Sequence, residues 1–357
     1  MGVNIEVISF LILMFFTTRR FRCNTYFKYL PYFIMFAFMA LRYNYGDGAA
    51  YRIMYGQLRQ GINLNDTEPM WVWLNNFLPT FRCVIVVTSA IYVMAFYIVL
   101  SKCLTYRQRT LALMIVVIHP YILMVDMSAI RQSVAIAIIM IGVYVANKYR
   151  PIYFVPFCGI AALFHRSAII TIPFMILFNK KNFNRNTKQI IGVGTVMLLL
   201  LPQKFLSLVE IALRLFKINT NNYMCYLNSG NKNSVYAVIT SLILLMFLLT
   251  CCDTVDNKHA IYVKLSILAM VLESLQGVIQ QLGRVTMYFL PFMAISLPLI
   301  LKNENRTLKI NLWSTEIVLD KHCCMLAEAV LLAIFGWKFV RFMTIPQYTY
   351  HSILLRF

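Results

Sequence analysis

The sequence has few charged residues, and very few of them are acidic. Only 13% of its 357 residues are charged, with 33 lysines and arginines against 13 aspartates and glutamates. Soluble globular domains carry about 25% charged residues. The shortage of charge, together with 60% hydrophobic residues, excludes an ordinary soluble fold and predicts a protein built from membrane helices.

Motifs of several common enzyme classes are also missing. No glycine-rich phosphate loop is present, so nucleotide binding is not expected. No DxD-like pair is present to hold a metal-bound nucleotide sugar. The nine cysteines form no CxxC…CxxC pattern and stand at no convincing metal spacing from a histidine, so we expect apolar core residues rather than ligands. No cofactor and no metal are therefore expected.

The apolar residues are grouped into runs that suit membrane segments, for which a full crossing takes about 20 residues. These runs predict an all-α, polytopic membrane helix bundle with about 10–12 membrane segments, in one domain over residues 1–357. They lie at about 3–18, 27–43, 80–101, 109–126, 129–147, 151–164, 166–178, 189–203, 235–252, 260–277, 285–301 and 323–340.

The net charge of +20 lies largely in the stretches between these runs. In a soluble protein such an excess would suggest nucleic acid, but the cytoplasmic loops of membrane proteins are rich in lysine and arginine. When the loops alternate between the two sides, most short loops on one side are basic. This pattern predicts that both termini lie outside, and it favours no nucleic acid partner. Attraction to anionic lipid phosphates is a second interpretation of the same charge.

The apolar run over residues 151–178 is interrupted by His165 and Arg166. Basic residues that are assigned to the cytoplasm lie on both sides of it, at Lys148 and Lys180. A single span cannot join two loops on the same side. The run is therefore predicted to be a short broken hairpin, with two short helices that meet at His165 and Arg166 near the outer face.

Two longer polar stretches are predicted to be external loops. Residues 44–79 mix aromatic residues and arginines at helical spacing and include two tryptophans, which is typical of helices in the membrane interface. Residues 204–234 are rich in asparagine. This second loop is either a lid that contacts sugar or a plain solvated loop.

Ionisable residues from distant parts of the chain fall at the predicted outer ends of the helices. They are Arg42, Asp47, Asp126, Arg131, His165, Arg166, Glu273, Arg284 and Arg341. Arginine binds phosphate oxygens through two parallel hydrogen bonds, and a histidine or a carboxylate accepts a proton from a hydroxyl group. The agreement in depth and side predicts a site for a lipid-linked diphosphate at the outer face.

Several short motifs occur in an order that resembles the EpsG family, a branch of the Wzy-type polysaccharide polymerases. They are "LRYNYGDGAAY" at 41–51, "EPMWVWL" at 68–74, "AIRQSVAIAI" at 129–138, "FHRSAII" at 164–170, "GRVTMYFLPF" at 283–292 and "IPQYTY" at 345–350. The resemblance runs over most of the chain, with the motifs in the family's order.

The resemblance implies an enzyme of capsule, O-antigen or exopolysaccharide synthesis in the bacterial inner (cytoplasmic) membrane. Such a polymerase is a membrane glycosyltransferase that joins oligosaccharide repeat units carried on undecaprenyl diphosphate, at the outer face, and releases undecaprenyl diphosphate. The resemblance also implies a GT-C-like fold, and a flippase and a chain-length regulator as partners.

Under this hypothesis each candidate residue has a role. His165 is the first candidate for the base that takes the proton of the acceptor hydroxyl, Asp47 is the second and Glu273 the third. Candidates for binding the diphosphate or orienting sugar are Arg42, Tyr51, Arg131, Gln132, Arg166, Arg284 and Tyr288. Tyr288 lies four residues after Arg284 and is predicted on the same helix face.

Three other functions fit parts of the same pattern. A flippase or exporter of lipid-linked sugars would also need a basic cavity, but one that opens alternately to both sides. An O-antigen-ligase-like glycosyltransferase would use arginine and histidine in a similar way. A membrane acyltransferase with His165 as its base would need a donor from the cytoplasmic side, which the predicted topology does not offer.

Overall fold

The computed structural model describes residues 4–20, 27–43, 45–63, 67–179, 181–201, 235–276, 282–303, 307–312 and 315–353. The predicted all-α membrane class is confirmed, because these residues are mostly helical. Among them, five helices are long and apolar enough to cross a membrane: Phe81–Cys103, Ile130–Lys148, Tyr236–Thr254, Leu282–Leu301 and Lys321–Met343. The predicted loop at 204–234 lies outside the described residues.

The α-helices follow one another along the chain with few other elements between them. They are α1 (Ile5–Arg20), α2 (Leu30–Leu41), α3 (Gly48–Arg59), α4 (Pro69–Phe77), α5 (Phe81–Cys103), α6 (Tyr106–Ile118), α7 (Met124–Ser128), α8 (Ile130–Lys148), α9 (Phe154–Ala162), α10 (Arg185–Leu200), α11 (Val235–Cys251), α12 (Ala260–Leu275), α13 (Leu282–Met287), α14 (Met293–Leu301) and α15 (Lys321–Met343). An antiparallel hairpin of β1 (Leu308–Leu312) and β2 (Thr315–Leu319), which was not predicted, precedes α15.

Contacts divide the chain into two compact units. The first comprises Met1–Phe178 and Ala327–Phe357, and the second comprises Asn179–Leu326. In the first unit α5 packs against α2 and α8, and α8 packs against α9. Most buried side chains are apolar, and the buried polar residues are chiefly serines and threonines.

A hydrophobic cluster ties together one end of several helices in the first unit. Leu58 of α3, Trp71 of α4, Val84 of α5, Ile130 of α8 and Phe164 after α9 are all buried in it. Close packing of this kind resists displacement of its members. The cluster therefore holds the starts of α4, α5 and α8 and the end of α9 in fixed positions next to one another.

The C-terminal segment is attached to the first two helices. The backbone N–H of Tyr43 donates to the carbonyl of His351 at 2.8 Å, and the Tyr350 hydroxyl donates to the carbonyl of Phe38 at 2.7 Å. The rings of Phe10, Phe38 and Tyr350 form one stack, with centroids 3.9 and 4.1 Å apart. These contacts make the two ends of the chain part of the same unit.

The predicted broken hairpin is present, with one difference in its second arm. α9 ends at Ala162, and the arm Arg166–Phe178 is a 3-10 helix rather than an α-helix. Pro173 inside this arm has no N–H to donate, and its ring crowds the carbonyl four residues earlier. The residues before it, 169–172, are all β-branched, which further disfavours an α-helix. The two arms pack against each other.

Polar contacts in the second unit join the loops at one end of its helices. Lys188 at the start of α10 forms an ion pair with Asp253 after α11, with Nζ and Oδ2 at 2.6 Å. Lys264 in α12 is buried, and its Nζ donates to the carbonyl of Asn179 at 2.6 Å. Because a buried ammonium group is costly without partners, this hydrogen bond fixes the loop before α10 against α12.

Candidate active site

Glu68 stands directly before α4 in the first unit. Pro69 occupies the first position of this helix, where proline is favoured because its missing N–H would have no partner in any case. The carbonyl of Glu68 accepts from the N–H of Val72 at 3.0 Å, which begins the helical hydrogen bonds. The Glu68 side chain points inward, and the residue is only 5% exposed. A carboxylate buried to this degree needs charged or hydrogen-bonding partners.

The partners of Glu68 come from two other helix ends. Arg131 Nη1 lies 2.6 Å from Glu68 Oε2. The backbone N–H of Arg166 donates to Glu68 Oε1 at 3.2 Å, and His165 Nδ1 lies 3.4 Å from the same oxygen. We call Glu68, Arg131 and His165 the Glu68 cluster. The structure thus brings together two sequence motifs that are more than thirty residues apart, "AIRQ" and "FHRS", on one carboxylate.

Arg131 is held from two sides. It lies in the first turn of α8, where the helix dipole disfavours a positive charge, so the carboxylate of Glu68 offsets an otherwise unfavourable position. Its guanidinium carbon lies 5.8 Å from the centroid of the Tyr51 ring, within cation–π range. Tyr51 in turn packs edge-on against Trp71 at 5.7 Å. The aromatic pair links Arg131 to the hydrophobic cluster below it.

Backbone contacts fix His165 at the break in the hairpin. Its N–H donates to the carbonyl of Ala161 at 2.9 Å, and the N–H of Met70 donates to the carbonyl of Leu163 at 3.1 Å. The neighbouring Phe164 is buried in the hydrophobic cluster. The first turn of α4 is therefore docked on the end of α9, and this docking sets the distance between His165 and Glu68.

The electrostatics of the Glu68 cluster favour an ionised carboxylate. Burial alone raises the pKa of Glu68. Opposing this, hydrogen bonds from His165 and from backbone N–H groups, together with the charge of Arg131, lower the pKa to about 2. Glu68 is therefore an anion at any physiological pH. It serves to hold a cation and to orient a histidine, and it is not suited to donate a proton.

Three buried nitrogens of the cluster make no hydrogen bond with the described residues, although one of them, His165 Nδ1, lies 3.4 Å from Glu68 Oε1. The other two are His165 Nε2 and Arg131 Nε. A neutral imidazole with its Nδ1–H toward a carboxylate presents Nε2 as an acceptor. Arg131 keeps N–H donors beyond the one that binds Glu68. The cluster thus combines a proton acceptor with a fixed cation. In the described part of the chain, no group of three metal-ligating side chains comes together.

Asp47 is connected to the Glu68 cluster through the turn before α3. Its N–H donates to Ser128 Oγ at 3.0 Å, and Ser128 is the last residue of α7, three residues before Arg131 in the chain. Gly46 has φ +53°, and a Cβ there would lie 2.1 Å from Ser128 Oγ, so only glycine fits. The Asp47 side chain is exposed and does not cap α3. Its carboxylate remains accessible one turn from Tyr51.

Four other predicted residues of the first unit have different surroundings. Arg42 is buried, and its guanidinium donates to the carbonyl of Met39 and to Ser89 Oγ, so its hydrogen bonds serve the packing of α2 against α5. Gln132 is buried beside Arg131 in α8. The side chain of Arg166 is exposed. Asp126 is buried and accepts a hydrogen bond from the hydroxyl of Tyr92.

The remaining predicted site residues belong to the second unit. Glu273 is buried in α12, and Arg284 is exposed in α13. The expectation that Tyr288 shares a helix face with Arg284 is wrong, because α13 ends at Met287 and Tyr288 lies buried in the following turn. Pro291 explains the early end, because it has no N–H to donate to the carbonyl of Met287, four residues earlier, and its ring crowds that carbonyl.

The chain matches one known protein family over most of its length. A family model described as the EpsG family matches residues 25–319. The chain belongs to the EpsG family. EpsG family membership suggests a polysaccharide polymerase-like role, and the matched range includes all three members of the Glu68 cluster. No curated protein and no solved structure matches the chain.

Sequence reasoning missed one central residue of this EpsG-family chain, Glu68. It lies inside the quoted motif "EPMWVWL", but the tryptophans of that motif suggested only a membrane boundary. A usable signal was present. An acidic residue directly before a proline, at the start of an apolar aromatic helix, is costly to bury unless a positively charged side chain pairs with it.

Proposed function

We propose that the chain is a polysaccharide polymerase that joins oligosaccharide repeat units carried on undecaprenyl diphosphate, at the outer face of the membrane. The observation that carries the proposal is the Glu68 cluster, in which one ionised carboxylate holds both an arginine and a histidine. EpsG family membership supports the polymerase class. The cluster supports a transfer reaction that needs a proton acceptor and a cation for a departing diphosphate.

The proposed reaction is a displacement at the anomeric carbon of the donor chain. The hydroxyl oxygen of the acceptor sugar forms a bond to this carbon, and the bond from the carbon to the diphosphate oxygen breaks. The electron pair of the broken bond leaves with undecaprenyl diphosphate. The hydroxyl proton moves to His165 Nε2. Direct displacement of this kind inverts the anomeric configuration.

Each member of the Glu68 cluster has a distinct part in this mechanism. Glu68 holds His165 with Nε2 as the acceptor, as the aspartate does in hydrolase triads. Arg131 offers the donors that Glu68 does not use to the diphosphate oxygens, where negative charge develops. A diphosphate is a good leaving group, so the mechanism needs no general acid. Asp47 is the second candidate for the base.

Three residues of the second unit stay candidates. Arg284 is a candidate for binding diphosphate, and Tyr288 is a candidate for orienting the substrate. Glu273 stays the third candidate for the base. A lipid-linked substrate is bulky, and guanidinium groups on several elements suit a diphosphate with many oxygens.

The test uses a deletion strain that is complemented with variants at matched protein levels, and measures the length of the surface polysaccharide. We expect the deletion to leave single repeat units. Glu68→Gln, Arg131→Ala and His165→Ala should each fail to restore long chains. The matched control is Asp253→Asn, which breaks an ion pair of the same 2.6 Å length outside the Glu68 cluster and should restore long chains.

The outcomes separate the competing functions. If all three cluster variants restore long chains, the proposed mechanism is wrong. If His165→Ala restores them and Asp47→Asn does not, Asp47 is the base. If no repeat unit reaches the outer face in the deletion strain, the protein is a flippase. If chains are made but not attached to their final acceptor, the protein is a ligase-like transferase.

A further inference from the structure

A cavity of about 300 Å³ lies in the first unit at the end of α5 that is remote from the Glu68 cluster. The last turns of α1 and α5 and the first turns of α2 and α6 surround it. Val84 of α5 packs in the hydrophobic cluster beneath Glu68, whereas Lys102 near the end of α5 lines the cavity. Eighteen residues of α-helix span about 27 Å. The cavity is therefore a separate place in the fold.

The charge of the cavity is positive and unbalanced. Lys28, Lys102 and Arg109 line it, and the described residues around it include no aspartate or glutamate. Arg109 is held in place because its Nε donates to the carbonyl of Leu104 at 3.0 Å. Three cations around a concave space raise the local concentration of anions. Basic residues that served only to keep a loop on the cytoplasmic side of the membrane would not need to surround a cavity.

Tyr32 supplies an independent observation that a ligand belongs here. It lines the cavity and is only 7% exposed, and its hydroxyl has no hydrogen-bond partner within the described part of the chain. Its ring is fixed edge-on against Tyr97 at 5.3 Å. A buried hydroxyl without a partner is costly. A ligand oxygen in the cavity would relieve this cost.

The turn between α5 and α6 explains why the cations meet. Thr105 caps α6 in a capping box with Gln108, whose side chain accepts from the Thr105 N–H at 2.9 Å. Only two residues separate the end of α5 at Cys103 from the start of α6 at Tyr106. Lys102 and Arg109 lie on opposite sides of this tight turn, so a rigid local structure keeps two positive charges close.

We propose that this cavity binds the phosphate of an anionic lipid headgroup. Its walls combine the three cations with hydroxyl groups, such as Ser101, and with apolar side chains, such as Ile98 and Leu113. It lies at the end of a membrane-length helix, where headgroups are found, and basic pockets between such helices bind anionic lipids. Free inorganic phosphate shares the charge chemistry but would not use the apolar wall.

The test measures lipid binding to the purified full-length protein in a neutral detergent by native mass spectrometry, with titration of phosphatidylglycerol. Parallel titrations use zwitterionic phosphatidylcholine and inorganic phosphate. We expect saturable binding of phosphatidylglycerol that neither of the others matches. Lys102→Gln with Arg109→Gln should lower the affinity about 25-fold, or about fivefold for each charge. Tyr32→Phe, which keeps the charge, should lower it about fivefold.

The control is Arg107→Gln, because Arg107 is exposed in the first turn of α6 but does not line the cavity. Its affinity should equal that of the wild type. An equal loss in this control would mean general surface attraction and would overturn the proposal. Unchanged binding in the double variant, with a native circular dichroism spectrum, would also overturn the proposal.

Inorganic phosphate that binds as tightly as the lipid and displaces it would overturn the lipid assignment in favour of free phosphate. Polymer length plays no part in this readout, so it stands apart from the proposed function.

Discussion

Glu68 is the residue that gives the candidate site its geometry. Arg131 and His165 lie on separate helix ends in a poorly solvated place, where the arginine needs a negative partner and the Nδ1–H of a neutral histidine needs an acceptor. One carboxylate serves both. A neutral side chain of the same shape would leave Arg131 as a poorly compensated cation in the first turn of α8, where the helix dipole already opposes it.

The pKa of Glu68 predicts a pH dependence of stability. The pKa in the folded protein is about 2, below the ordinary value of 4.5. The ionised carboxylate therefore stabilises the folded protein above about pH 4.5, and this contribution is lost as the pH falls toward 2. Thermal unfolding in detergent should show Glu68→Gln less stable than the wild type at pH 7, by about 3 kcal/mol. At pH 3 the difference should have shrunk by roughly half. A difference that is the same at both values would contradict the assignment.

Gly46 predicts a second effect at the scale of single residues. Its φ is +53°, and a Cβ would meet Ser128 Oγ at 2.1 Å. Gly46→Ala should therefore destabilise the protein by about 1–3 kcal/mol, through backbone strain and the clash. Gly48→Ala is the matched control, since a Cβ there would meet no described atom within 4 Å. Thermal unfolding of both variants checks the prediction, and equal stability of the two would refute it.

The pairing of α8 with α9 decides whether the two halves of the site meet. The helices are joined by a short turn and run in opposite directions, so Arg131 at the start of α8 and His165 after the end of α9 come to the same end. Their close approach depends on Gly142, where a Cβ would lie 2.6 Å from the Cβ of Phe157. The distance between α8 and α9 therefore affects the distance between Arg131 and His165 in the Glu68 cluster.

A change of this spacing should affect both stability and activity. Gly142→Ala forces α8 and α9 apart, and overpacking of this kind costs about 1–3 kcal/mol. We expect a lower unfolding temperature and shorter polysaccharide in the complemented deletion strain. Gly159→Ala, on α9, introduces the same methyl group with no described atom within 4 Å, and should keep both properties. Long chains made by the Gly142 variant at a wild-type unfolding temperature would be inconsistent with this coupling.

At the scale of the whole molecule, loops that were predicted on one side contact one another. In the first unit, the start of α2 and the turn between α5 and α6 share the lipid cavity, and the turn before α3 contacts the end of α7. In the second unit, the loop before α10 contacts the loop after α11. Contacts of this kind are what membrane-crossing helices of alternating direction must produce.

The sidedness itself can be measured with reporter fusions. Alkaline phosphatase, which is active only when it is exported, should be active when fused after Gly61, and inactive when fused after Thr105. A fluorescent protein that folds only in the cytoplasm should show the opposite pattern. The expected result places the Glu68 cluster outside and the lipid cavity inside, in line with the basic loops. The reverse pattern of activities would overturn the predicted topology.

Composition and periodicity were sufficient to predict the class of the protein and the course of much of its chain. Low charge and long apolar runs indicate segments inside a membrane. There the backbone N–H and C=O groups need hydrogen-bond partners within the protein, and a helix supplies them within its own segment. The hairpin break at His165 was predictable for the same reason, since charged residues cannot lie in the middle of a span without cost. The 3-10 form of its second arm was not predicted, although Pro173 was a visible signal.

Only the tertiary structure decided which polar residues act together. The sequence placed both Arg42 and Arg131 at the outer face as candidates for binding the diphosphate, but folding buries Arg42 between α2 and α5 and pairs Arg131 with Glu68. It left Glu68 unnoticed among tryptophans, because the cost of burying a charge depends on a partner 63 residues away. Side-chain pairing between helices is set by packing of their apolar faces, and no local pattern in the chain records it.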